Sequence, residues 1–95
     1  MNTDFIFDMA QSFCDNGEYA QALRLYEEAA ENGNADAMFA LGVMYLAGEG
    51  VRIDVELARE YIAKAKMHGH PIALFYLDII KCYSQEDFEA DNTDY

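Results

Sequence analysis

The chain has 95 residues, 53% of them hydrophobic and 25% charged. That is enough apolar matter for one small packed domain, which excludes wholesale disorder, and no run of about 18 apolar residues exists to span a bilayer. Eighteen acids against six bases give a net charge of −12, which argues against binding nucleic acid through its phosphates, since that needs clustered lysine and arginine.

Five helical segments follow from apolar period and punctuation. The first is expected over 3–15, with Thr3 as cap, a stripe of Phe5, Ile6, Met9, Ala10 and Phe13, and Asn16-Gly17 as the stop. The second runs over 18–32 with Ala22, Leu25, Tyr26, Ala29 and Ala30 inward, and Gly33 ends it. The third covers 35–47 with Met38, Leu41, Gly42 and Tyr45 inward, closed by Gly48-Glu49-Gly50. Asp54 caps the fourth, which reaches His68 with Leu57, Ala58, Tyr61, Ile62 and Ala65 inward, and Gly69 ends it. The fifth starts around Pro71, where a first-turn proline loses no hydrogen bond, and runs to about Tyr83. Every connection is short, so neighbouring helices are expected to pack antiparallel.

The chain repeats itself. Ala22, Ala29 and Gly33 recur 36 residues later as Ala58, Ala65 and Gly69, and Ala37-Met38-Phe39-Ala40-Leu41 lands on Ala73-Leu74-Phe75-Tyr76-Leu77. A fixed step of this size marks an array of helical repeats. The fold expected is all-α, a short α-α superhelix of about five antiparallel helices in two and a half repeats. One hairpin cannot bury its apolar face alone, and about three units are the usual minimum. Self-association into a homodimer, or a bound partner, would supply the missing cover.

The first unit carries Phe13, Gly17, Ala22, Tyr26 and Ala29 at the spacings of a tetratricopeptide repeat. The second carries Leu41-Gly42-Val43-Met44-Tyr45, then Gly48-Glu49-Gly50-Val51, Asp54, Ala58 and Ala65 to Gly69. This set resembles the Sel-one-like repeat, the tetratricopeptide relative with a longer loop between its two helices. The resemblance covers about residues 5–83 and implies an α-solenoid that serves as a scaffold for protein–protein contacts. The chain departs from the pattern in two places. The first unit lacks the long loop, and the third has one helix, with Asp78 and Lys81 where glycine and tyrosine are usual, which reads as a polar terminal cap.

The organisation expected is a repeat domain over 1–83 and a flexible acidic tail over 84–95. The tail holds five acids, leaving 13 against 6 bases in residues 1–85, so the folded part is itself acidic. Ser84 with Asp87 suits a brief helical turn, and a sharper expectation has Phe88 or Tyr95 folding back as an anchor. Residues 1–8 have no basic start and no long apolar core, so a secretion signal is not expected and a cytoplasmic home is the default.

In arrays of the resembled family the first helix of each hairpin lines the concave face. Aligning the units puts Phe7, Phe39 and Phe75 at one equivalent position there. Val43 and Ile79 follow one turn along, with Gln11 as their polar counterpart, and Asp4 and Asp36 lie near the helix starts. These eight residues form the candidate site, a shallow aromatic groove with acidic edges for a segment bearing apolar anchors beside Lys or Arg. The competing reading makes the phenylalanines ordinary inter-helix core.

Reactive chemistry finds no footing. Gly48-Glu49-Gly50 lacks the remainder of a phosphate loop, Ser12 and Ser84 are the only serines, and Cys14 has no histidine near it in sequence. Cys14 and Cys82 are far apart and outside any metal spacing, so small buried or half-buried thiols are expected. His68 and His70 flank a helix-ending glycine with no third ligand, and turn histidines are expected to be solvated. Neither an enzyme nor a cofactor is expected. Two function classes stand: an adaptor holding a partner's segment on its concave face, and an acidic inhibitor or immunity-type protein covering the basic surface of a nuclease or toxin. For both, the partner is a protein, not nucleic acid or membrane.

Overall fold

Each of the first four helices ends in the same way, and that ending sets the architecture. After α1 (Thr3–Asp15), α2 (Tyr19–Glu31), α3 (Ala35–Ala47) and α4 (Val55–Met67) comes a glycine at positive φ: Gly17, Gly33, Gly48 and Gly69. In each case the next residue's N–H reaches back five positions, as from Glu18 to the Phe13 carbonyl (2.8 Å), Asn34 to Ala29 (3.1 Å), Glu49 to Met44 (3.1 Å) and His70 to Ala65 (2.9 Å). This motif satisfies carbonyls that the last turn would leave open and reverses the chain within a few residues. The computed structural model describes residues 3–81, and α5 occupies 73–81. The expectations for Cys82, for Ser84 with Asp87, for Phe88 and Tyr95 as anchors, for a helix end at Tyr83 and for the acidic segment 84–95 lie outside the described residues.

All five expected helices are present, and no strand occurs among the described residues. The expected bounds of α1 and α3 match to the residue, α2 is shorter by one residue at each end, and α4 starts after its expected cap Asp54 and stops one residue short of His68. Two details differ. Thr3 is helical rather than a cap, and its hydroxyl accepts a hydrogen bond from Asn34 Nδ2 (3.1 Å). Pro71 lies in the turn, two residues before α5 begins.

The helices pair as α1 with α2 and α3 with α4, and α2 joins the pairs through α3. Small residues set the spacing. Ala10, Ala22, Ala29 and Ala37 are fully buried in one core with Tyr26, Leu41 and Met44, and Ala65 and Ala73 are buried in a second with Met38, Ile62 and Ile80. At the α3–α4 crossing Gly42 has no side chain because Ile62 occupies the space. A Cβ there would stand 2.3 Å from Ile62 Cγ1 and 3.1 Å from the Ala58 carbonyl oxygen.

Asn34 is the polar exception, 7% exposed. Its Oδ1 accepts from the Ala37 N–H (2.9 Å), capping α3, while its amide donates to Thr3 on α1. One side chain thus caps a helix and ties the two hairpins. Asn34→Ala should lower stability by about 1–2 kcal/mol, read from urea unfolding. Asn34→Asp keeps the cap acceptor, loses the donor to Thr3, and should fall between the two.

Candidate partner-binding site

The first helices of the two hairpins, α1 and α3, leave a hollow of about 260 Å³ between them. Phe7 and Gln11 come from α1, and Phe39 and Val43, one turn apart, come from α3. Tyr26 of α2 lies between the walls, buried, with its ring 5.6 Å from that of Phe7. Asp36, Glu49, His70 and Cys14 also line it. Of the eight residues singled out from the sequence, the hollow gathers Phe7, Gln11, Asp36, Phe39 and Val43. Phe75 and Ile79 lie on α5 with exposed side chains outside it, and Asp4 stands in the first turn of α1, also outside it.

Phe39 is more than wall. The His70 ring stacks on it at 4.3 Å and 13°, and Tyr76 of α5 meets it edge-on at 4.7 Å. His70 is therefore covered, with a side chain 9% exposed, and not solvated as a turn histidine was expected to be. Its Nδ1 accepts from the Ile72 N–H (3.4 Å), which leaves Nε2 facing Asp36 Oδ1 at 3.3 Å. This cluster stitches the start of α3 to the turn before α5. His68 instead caps α4, donating from Nδ1 to the Lys64 carbonyl (3.0 Å). Among the described residues no three His, Cys, Asp or Glu side chains gather closely enough to hold a metal.

The hollow is electronegative. Burial pushes the Cys14 thiol up, and Glu49 and Asp15 push it the same way. Burial likewise raises the Tyr26 hydroxyl to about 12, with Cys14, Asp15 and Glu49 adding to it. Two groups in the lining thus sense the same carboxylates. Both stay protonated at neutral pH, and a thiol held protonated is a poor nucleophile. The arrangement suits holding a ligand by shape and charge rather than attacking one.

Tyr26, Cys14, Glu49 and His70 were not among the residues singled out. Glu49 sits in the longer loop of the second unit, and that loop was the signal available in sequence. His70 gave none, because its role depends on which ring it meets after the turn.

A family model described as Sel1 repeat matches residues 9–34 and 35–70. Over 58 residues the chain is 38% identical to a protein of Rhizobium meliloti (strain 1021) named "Exopolysaccharide production negative regulator". The match takes in 60% of this chain and 22% of that protein, so the chain spans about a fifth of the length of this curated relative. No solved structure matches the chain.

Proposed function

The chain belongs to the Sel1 repeat family, and on that premise we propose that it is a protein–protein interaction module that holds a partner's segment in the hollow between α1 and α3. The observation that carries this reading is the lining: apolar Phe7 and Val43 and the exposed part of Phe39, edged by Asp36 and Glu49. An apolar anchor enters between the helices, and a neighbouring Lys or Arg meets the carboxylates. The relative's name, a negative regulator, accords with a protein that acts by binding.

The test uses Val43→Glu, which puts a charge on the wall, and Glu49→Lys, which inverts the edge. A partner captured from the native host by the unmodified chain should bind each variant about tenfold more weakly by calorimetry, with circular dichroism unchanged. Equal binding by all three proteins would refute the groove. The net charge of −12 favours a second reading, an acidic inhibitor of a basic surface. That mode predicts binding that collapses between low and physiological salt and ignores Val43→Glu.

A further inference from the structure

The second hairpin shows how this array covers a face, and the first hairpin carries the same face with no helix over it among the described residues. Helices α1 and α3 align at a step of 32 residues, and α2 and α4 at a step of 36. On the second hairpin, Ala37 and Leu41 are fully buried in the core shared with the first, and Tyr61 packs against it. Their counterparts are Phe5, Met9 and Leu25. Phe5 is 63% exposed, Met9 is 38% exposed and Leu25 is half-buried. The stacked pair Tyr45 and Tyr61 has Phe13 and Leu25 in its place. Here a hollow of about 620 Å³ opens, with Met9, Phe13 and Leu25 among Glu27, Glu28, Glu31 and Arg24.

Charge identifies the occupant. At the covered junction Lys64 of α4 shares a hollow with Glu27 and Glu31 of the covering α2. In the first hairpin the counterpart of Lys64 is Glu28, so whatever covers this face must carry cations where α2 carries glutamates. A second copy is a poor fit: each copy has a net charge of −12, and residues 3–31 hold seven acids against Arg24 alone. We propose that the outer face of the α1–α2 hairpin is a second docking surface, and that it takes a basic amphipathic helix from a partner protein. Its apolar stripe lies on Phe5, Met9, Phe13 and Leu25, and its Lys or Arg residues face Glu28 and Glu31.

The probe is a synthetic peptide of about 18 residues, five helical turns, with leucines at i, i+3, i+4 and i+7 and lysines flanking them. Its twin carries glutamate for lysine. Titrated into the full chain, the lysine peptide should shift backbone amide resonances of residues 5–13 and 21–31, and the glutamate twin should shift none. Met9→Glu, at an exposed position, should weaken the lysine peptide about tenfold, and Glu28→Lys with Glu31→Lys should invert the preference between the two peptides. Shifts centred instead on Ala40 to Met44, or equal binding of both peptides, would overturn the assignment. So would sedimentation showing dimers of the free chain that Met9→Glu splits, since the face would then belong to a second copy.

Discussion

Gly42→Ala should destabilise the array by about 2 kcal/mol, although alanine is the better helix former at an interior position by about 1 kcal/mol. The two effects have opposite signs, and geometry decides between them. The new Cβ would lie 2.3 Å from Ile62 Cγ1 and 2.9 Å from its Cδ1, where carbon atoms prefer about 3.5–4.0 Å. Ile62 is fully buried, so its side chain moves only by displacing the core packed around it, and the Ala58 carbonyl oxygen, 3.1 Å from the new Cβ, closes the other side. Relief requires α3 and α4 to separate, which loosens both cores at once. A urea unfolding curve gives the sign directly. A double variant with Ile62→Ala checks the cause: removing the obstructing atoms should make Gly42→Ala neutral or favourable, so the two changes should be strongly non-additive. If Gly42→Ala alone stabilises the chain, the close crossing is wrong.

Much of this crossing was legible in the sequence. Glycine and alanine at repeat-equivalent positions, the 36-residue step and the glycines after each helix are local or periodic signals, and they placed α1 to α4 to within a residue. The hollow was partly legible too, because aligning the first helices of the two hairpins, 32 residues apart, sets Phe7 against Phe39 and Gln11 against Val43. What the repeat conceals is which neighbour each aligned residue meets. Phe7 rests on Tyr26, Phe39 is clasped by His70 and Tyr76, and Phe75 lies open, although the alignment treats the three alike. The bare face of the first hairpin was hidden likewise, since Met9 and Leu41 read as equal stripe residues until one is seen covered and the other not.

The pair Phe39 and Phe75 turns that difference into a measurement. Phe39→Ala removes the ring that His70 stacks on and Tyr76 abuts, and with it one of the contacts joining α3 to α5. The expected loss is about 3 kcal/mol. In a domain of this size that is a fall in Tm of about 15 °C. Phe75 sits at the equivalent repeat position but is 67% exposed, so Phe75→Ala should stay within about 0.5 kcal/mol of the parent. Phe39→Leu keeps apolar volume and forfeits the ring contacts, and should cost about 1 kcal/mol. Equal effects at the two positions would mean that the clasp contributes nothing. The contrast also governs how the groove is probed. A partner lost with Phe39→Ala reports the unstitching of α5 as readily as a missing contact, whereas Val43 and Glu49 line the hollow without taking part in the clasp. Binding that fails at those two residues while the melting temperature holds is the result that separates a ligand's contact from the scaffold's own.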